Sequence, residues 1–410
     1  MESRIRFYLD STDNVNNFFN ANSLKILLLG YGKSSKALIK YFTNKDVDID
    51  ILRPENKKEY YKFIKELPQY DICFRSPGIA INKPVYSLCN LLAKEFSNEL
   101  VYAIKKCECK NTILVTGSNG KTSLCKLLFE VLNIYKKSHL YGNIGDTLID
   151  KIESINKDDF LILEISSFQL ENLSTNIDVG IIKNLHPNHL NSTFNKATYF
   201  ASKKRLKLYS SYFIDKDNSS SYIAIKDDMI YVFDKEYLDI NELNIKETSF
   251  IENILIVLNV LIYYKLDINL AKNVIKSFKQ VKYRNNVIKY NNTIFVNDGK
   301  STSSAASKYC FDQYKGNRIL ILGGIHKSNK FNLTLNEKDE IYIYGKDKER
   351  IFNEIKKGKL FISLDEVLKS IKNIENKVII FSPGCSSFDQ YKNYIERSEV
   401  FDKWVKSWIK

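Results

Sequence analysis

The sequence predicts an α/β protein of three domains, and three observations carry that expectation. An apolar run at 24–29 leads into Gly30-Tyr31-Gly32 and then into a helical apolar stripe. A second run, Ile113 to Thr116, leads into Gly117-Ser118-Asn119-Gly120 and another such stripe. From residue 318 onward, apolar runs alternate with helical patterns, and each run ends in a Gly- or Ser-rich turn. Strands alternating with helices imply crossover connections, a mostly parallel sheet and a functional edge at the strand carboxyl ends. The 410 residues exceed one ordinary domain, so several cores of normal size fit the length.

The first expected domain, 1–90, begins as a Rossmann-like unit. The strand 24–29 and the helix carrying Ala37, Leu38, Ile39, Tyr41 and Phe42 flank Gly30-Tyr31-Gly32-Lys33-Ser34-Ser35. The third glycine of the dinucleotide fingerprint is Ser35, so a nicotinamide cofactor has weak support. A second strand, Val47 to Leu52, ends at Arg53 where a ribose-binding acid would stand. An arginine suits a phosphate better than a pair of hydroxyls, and a solvated loop arginine is the plainer alternative. A third strand, Tyr70 to Phe74, runs into Arg75-Ser76-Pro77-Gly78, a turn that places backbone donors at the sheet edge.

The central domain, 91–282, carries the strongest motif. After Gly117–Gly120 come Lys121, Thr122 and Ser123, and then Leu124, Leu127, Leu128, Val131 and Leu132 on one helix face. Strand, glycine turn, Lys-Thr and helix describe a phosphate cradle, in which the lysine is a point charge and the threonine a Mg²⁺ ligand. The generic motif would put its first glycine at Val115; here it is displaced to Gly117. Tyr141-Gly142-Asn143-Ile144-Gly145 is a turn presenting one amide. The run from Phe160 ends in Glu164, where P-loop enzymes keep an acid for Mg²⁺ or its water. A strand at 179–184 precedes a loop with His186 and His189; further zinc ligands are lacking nearby, which favours a Mg²⁺ ligand or a substrate contact. Tyr199 to Arg205, holding Lys203, reads as a basic helical segment. Asn253 lies in an apolar helix from Phe250 to Tyr264, where capping is the common role of such an asparagine.

The third domain, 283–410, opens on a hairpin, Asn286–Lys289 with Thr293–Val296. Strands then reach Asn297-Asp298-Gly299-Lys300-Ser301-Thr302, Gly323-Gly324-Ile325-His326-Lys327 and Ser382-Pro383-Gly384-Cys385-Ser386-Ser387. This reads as a second Rossmann-like unit, and Trp404 and Trp408 fall on a helical stripe that is more simply core than site. The net charge of +14 comes from lysines spread along the chain, with no basic tail, so nucleic acid is not an expected partner. No apolar run is long enough to span a bilayer. Seven scattered cysteines without a second close pair argue for a reduced, cytoplasmic interior.

Taken in order, these motifs resemble the Mur ligases of peptidoglycan synthesis over essentially the whole length. The anchors are Thr116–Ser123, Gly142–Gly145, Glu164–Glu171, Asn184 with His189, Tyr199 with Lys203, Asn297–Thr302, Gly323–Lys327 and Ser382–Gln390. The displaced first glycine is how this family looks. The chain lacks the Asp-x-Pro-Arg motif of the members that add diaminopimelate or lysine. The resemblance therefore implies an ATP-dependent ligase that forms a C–N bond between UDP-N-acetylmuramoyl-L-alanine and D-glutamate. It implies that Gly117, Ser118, Asn119, Gly120, Lys121, Thr122 and Ser123 hold the ATP phosphates, with Asn253 on adenine and Arg284 and Asp298 as further ATP contacts. Thr122 and Glu164 would bind one Mg²⁺; His189 and Lys203, the latter as a CO₂-derived carbamate, would bind a second. Ser34, Arg53, Ser76, Gly78 and Asn143 would hold the UDP-sugar, and Lys300, Thr302, Lys327, Ser387 and Tyr394 the D-glutamate. A monomer is expected. A folylpolyglutamate synthase-like ligase shares the cradle and is the alternative enzyme, a nicotinamide dehydrogenase the next, and a non-catalytic nucleotide sensor the alternative of another class.

Overall fold

The computed structural model describes residues 4–7, 23–53, 56–66, 68–77, 79, 84–118, 120–143, 146–184, 204–215, 221–279, 282–326 and 330–409. Five strands form the first sheet: β1 (Arg4–Phe7), β2 (Leu24–Leu29), β3 (Val47–Leu52), β4 (Tyr70–Arg75) and β5 (Ala93–Ser97). Their order is β1-β3-β2-β4-β5 and every pairing is parallel. Strand β5 joins this sheet although it lies past residue 90, where the first domain was expected to end. The short β1 was not anticipated either.

The second sheet contains β6 (Asn111–Thr116), β7 (Ser138–Gly142), β8 (Phe160–Glu164), β9 (Ile177–Ile182) and β10 (Ser210–Ile214). Its order is β10-β9-β6-β8-β7, again wholly parallel. Parallel strands are buried on both faces, which explains the continuous apolar runs Ile113–Val115 and Phe160–Leu163. The strand expected at 179–184 begins and ends two residues earlier, so Lys183 and Asn184 lie just beyond its end. A small antiparallel sheet follows, made of β11 (Ile223–Lys226), β12 (Met229–Val232) and β13 (Lys235–Asp239).

These elements belong to one compact unit that runs to Phe278. Inside it, one apolar cluster continues from Ile26, Phe42 and Phe74, through Leu100–Ile104, to Leu114, Leu161 and Leu163. The helix Glu99–Lys106 is thus buried between two sheets. Its Leu100, Val101 and Ile104 each contribute roughly 1.5–3 kcal/mol by burial, which makes the join a core rather than a loose domain contact. A buried ion pair reinforces it: Arg75, at the end of β4, meets Glu171 at 2.7 Å, and the Asn98 amide donates to the Gln169 carbonyl at 2.9 Å. On the other side of the second sheet, Leu124, Leu128 and Val131 of the helix Lys121–Leu132 pack with the helices Thr248–Tyr263 and Ile268–Ser277.

The second unit, from Lys279 onward, is built on a six-stranded sheet. Its strands are β14 (Asn286–Tyr290), β15 (Thr293–Asn297), β16 (Arg318–Gly323), β17 (Glu340–Tyr344), β18 (Lys359–Phe361) and β19 (Val378–Phe381). The order is β14-β15-β19-β16-β17-β18, parallel except for the hairpin β14–β15. The final helix, Tyr394–Trp408, buries Phe401 and Val405 on this sheet, with Trp404 and Trp408 packed at its margin as the stripe suggested.

Candidate nucleotide and ligation site

Strand β6 ends at Thr116, and the chain turns through Gly117 to Gly120 before entering the helix Lys121–Leu132. Gly120 is the residue before the helix and has φ +75°, in the left-handed region, where a side chain is strained. A Cβ there would also overlap the Lys183 side chain. The turn is held from outside as well: the Ser118 amide donates to the Asn184 side-chain oxygen at 2.9 Å and lies 3.1 Å from its carbonyl. Lys121 Nζ reaches across its own loop to the Gly117 carbonyl at 2.8 Å.

Beneath the loop, the Thr122 hydroxyl donates to Glu164 at 2.8 Å, and both side chains are buried. The adjacency follows from the sheet, because β6 and β8 pair directly with Val115 opposite Glu164. The other Glu164 oxygen accepts from the Asn143 side-chain amide at 3.2 Å, and the Asn143 main-chain amide donates to the Glu164 carbonyl at 2.8 Å. Asn143, expected near the sugar, therefore stands beside the carboxylate of the phosphate site. Among the described residues no three His, Cys, Asp or Glu side chains gather around one point. A hydroxyl and one carboxylate still suit Mg²⁺, which takes hard oxygen donors and usually completes its shell with phosphates and water.

Asn253 is buried inside the helix Thr248–Tyr263, whose N-cap is Glu247, so it is not a capping residue. Its side-chain oxygen accepts from the ammonium of Lys183, a residue for which the sequence reading had no role. The cue available was a lysine directly after an apolar strand and directly before the Asn184 anchor.

In the first sheet, Gly30 turns with φ +92°, and a Cβ on it would lie 2.9 Å from Ser76 Oγ. Ser35 Oγ donates to the Gly30 carbonyl at 2.9 Å and sits 3.0 Å from Ser76 Oγ. Gly30, Ser35 and Ser76 are thereby brought together, with Ser34 half-buried at the first turn of the helix Lys33–Phe42. Arg53 is not a freely solvated loop residue. Its Nε donates to Glu59 at 2.7 Å, its second nitrogen pairs with the same carboxylate, and its backbone amide donates to Glu59 at 2.8 Å. Glu59, fully buried, was missed because it comes from the following helix, Lys57–Glu66.

In the second unit, adjacent strands β15, β19 and β16 bring three turns to one sheet edge. The Arg397 guanidinium, fully buried, donates to the carbonyls of Gly299 and Cys385 at 3.0 Å and of Gly323 at 3.4 Å. One side chain on the last helix thus ties all three. Asp298 is buried among its own neighbours, accepting from Ser382 at 2.7 Å and from the Ser301 hydroxyl. Burial pushes its carboxyl pKa up, against the lowering by those hydroxyls and by Arg284. Lys300 Nζ lies 5.6 Å from the ring centre of Tyr394, so these two expected residues do meet. Ser387 is buried and Thr302 exposed. Gly78, Asn119, His189, Lys203 and Lys327 lie outside the described residues.

A parallel sheet with a glycine loop, a Lys-Thr helix start and a buried glutamate on the neighbouring strand defines a P-loop nucleotide-binding protein. Comparison with known proteins narrows that class. Residues 115–271 match the Mur ligase middle domain. The UDP-N-acetylmuramoylalanine–D-glutamate ligase of Francisella tularensis subsp. tularensis is 34% identical over 410 residues, covering 95% of this chain and 97% of that one. Among solved structures, the UDP-N-acetylmuramate–alanine ligase MurC of Thermotoga maritima aligns with TM-score 0.52 at 16% identity, over 94% of this chain and 99% of that one. The MurF ligase of the same organism, solved with ADP, aligns with TM-score 0.54 at 16% identity, over 85% and 92%. The chain belongs to the Mur ligase family.

Proposed function

We propose that the chain is an ATP-dependent ligase that adds D-glutamate to UDP-N-acetylmuramoyl-L-alanine during peptidoglycan precursor synthesis. The observation that carries this reading is the buried Thr122–Glu164 pair under the Gly117–Lys121 loop. It occurs in a chain whose 34% identity to a D-glutamate ligase runs nearly end to end. That full-length likeness also favours this substrate over the folate-type alternative, which shares the cradle.

In this reading the loop residues Gly117 to Ser123 hold the ATP phosphates, and Lys121 places its charge on the group being transferred. Mg²⁺ held by Thr122 and Glu164 supplies charge neutralisation at the phosphate oxygens when bound. The alanyl carboxylate attacks the γ-phosphorus, and ADP leaves as an acyl phosphate forms. The D-glutamate amine then attacks the acyl carbon, loses a proton, and inorganic phosphate departs. Asn253 meets adenine, with Arg284 and Asp298 as further ATP contacts. Ser34, Arg53, Ser76, Gly78 and Asn143 serve the UDP-sugar, and the Glu59 pairing supports a fixed Arg53. Lys300, Thr302, Lys327, Ser387 and Tyr394 serve D-glutamate, where two lysines and hydroxyl groups suit a dicarboxylate. His189 and Lys203, as a carbamate, belong to a second ion. The reading includes a monomeric cytoplasmic enzyme with domain divisions near 90 and 282; among the described residues no helix is long and apolar enough to cross a membrane.

The test mixes protein, MgATP and UDP-N-acetylmuramoyl-L-alanine with each candidate amino acid in turn and follows phosphate release. D-Glutamate should give turnover. Turnover with a different amino acid, or none with D-glutamate, overturns the substrate. Lys203→Ala checks the carbamate, and unchanged activity would remove it.

A further inference from the structure

We infer that Lys183 is a nucleotide-positioning residue: it locks the Asn253 amide in one orientation, so that the base is met by the amide's nitrogen donor. The inference deepens the reading of Asn253 as the base contact and rests on it.

Lys183 follows β9, and its main-chain amide donates to the Thr116 carbonyl at 3.0 Å, beside the start of the phosphate loop. Its side chain is 2% exposed. It runs beneath the loop: a Cβ on Gly117 would lie 3.3 Å from Lys183 Cβ, and one on Gly120 would lie 3.4 Å from Nζ. The ammonium ends against the other helix, donating to the Ser249 carbonyl at 2.9 Å and to Asn253 Oδ1. The Glu252 carboxylate lies 4.0 Å away and is largely exposed. A buried ammonium needs acceptors, and here it finds them in a backbone carbonyl and a side-chain amide.

An asparagine amide has one accepting end and one donating end, and the two orientations differ by a flip. With the Lys183 ammonium at Oδ1, a flip would set two donors against each other. The amide is therefore held with Nδ2 directed away from Lys183, ready for an acceptor such as a purine ring nitrogen. The same side chain touches the phosphate turn, so it couples the placement of the two ends of the nucleotide. An apolar residue of similar size would fill the space without the desolvation cost of a buried charge, so packing alone gives no reason for a lysine.

The test titrates full-length protein with MgATP and, separately, with magnesium tripolyphosphate, by calorimetry. The proteins are wild type, Lys183→Met, Asn253→Ala and the double variant. Lys183→Met should weaken MgATP on the order of tenfold, the scale of one charge-assisted hydrogen bond. Tripolyphosphate, which has no base, should change by less than about twofold. The double variant should bind MgATP no more weakly than Asn253→Ala, because both changes act through one amide. Lys183→Gln keeps a donor and should recover part of the loss; it also carries the test if Lys183→Met does not fold. Equal weakening of tripolyphosphate would mean that Lys183 acts on the phosphates by charge, which overturns the inference, as would additive losses. If Asn253→Ala weakens MgATP while Lys183→Met and Lys183→Gln do not, the Lys183 inference fails and the base contact stands. If Asn253→Ala leaves MgATP unchanged, the base contact fails and the inference with it.

Discussion

The first and second sheets each end a central strand in a glycine turn at a helix N-terminus, yet what lies beneath the two turns differs. Under Gly30 the neighbours are hydroxyls: Ser35 is tied to the Gly30 carbonyl and packed against Ser76. Under Gly117–Gly120 lie a carboxylate holding a threonine hydroxyl and an ammonium holding an asparagine. In the proposed reading each turn meets a phosphate, as a helix N-terminus can. Transferring one requires charge placed where charge develops, and the second turn has the buried groups for that. A glycine turn at a helix N-terminus suits a phosphate, while the groups buried beneath it decide what can be done with one.

The largest effect is expected from Glu164→Gln, which keeps the shape and removes the charge. Turnover measured by phosphate release should fall about 10²–10³-fold, the usual cost of one electrostatic contact in a transition state. A smaller loss than at the first turn's residues would reverse the assignment of roles.

Next in size is a pH effect at the seam between the two sheets. Glu99 is buried, accepts from the Ile149 amide at 2.9 Å and has Lys33 and Asp150 as charged neighbours. Burial raises its pKa from 4.5 to about 7. The folded state thus holds this proton more tightly than the unfolded chain, so its contribution is full below the unfolded value and lost as pH rises through the folded one. The loss is on the order of 3 kcal/mol across that window. Glu99→Gln should flatten the fall in denaturant midpoint between about pH 5 and about pH 8, and an unchanged slope would place the titration elsewhere.

Gly120→Ala and Gly32→Ala form a matched pair. The first meets a left-handed φ and the Lys183 side chain, and MgATP affinity should drop roughly tenfold or more. At Gly32 a Cβ meets nothing within 4 Å, so affinity for either substrate should change by less than about twofold. Between these lies Glu59→Gln, which loosens Arg53; the KM for the UDP-sugar should rise about fivefold with kcat nearly constant. A fall in kcat instead would move Arg53 from binding to chemistry.

The strand–turn–helix pattern around Gly117 was legible because its chemistry is local: neighbouring residues supply the turn, the lysine, the threonine and the apolar helix face. Glu164 was legible too, since an apolar strand ending in an acid is a sequence pattern. Strands β7 and β5 were harder to read, because Ser138–Gly142 and Ala93–Ser97 are short and only partly apolar. Glu59 and Arg397 carry no local signal, Glu171 shows only as the end of a motif, and Lys183 only as a lysine directly after an apolar strand. Each is a charged residue that would suit a solvated surface; Glu59 is held by Arg53 six positions away, the other three by groups distant in the chain. Arg75 meets Glu171 across 96 positions, and Arg397 reaches Gly299 across 98. Past residue 90 the chain still adds a strand to the first sheet, and Leu100–Ile104 pack in one apolar cluster with it and the second sheet, contacts no local pattern announces.

Arg397 has one more consequence. Its guanidinium is wholly buried and gives its hydrogen bonds to backbone carbonyls. Mobile ions shield the surface lysines over a Debye length of about 8 Å at physiological salt, but they do not enter the space around a buried cation. At an illustrative ~10 Å and an effective dielectric of ~20, such a charge attracts a carboxylate by roughly 1.7 kcal/mol. An acidic amino acid drawn to the second unit should therefore keep much of its affinity as ionic strength rises.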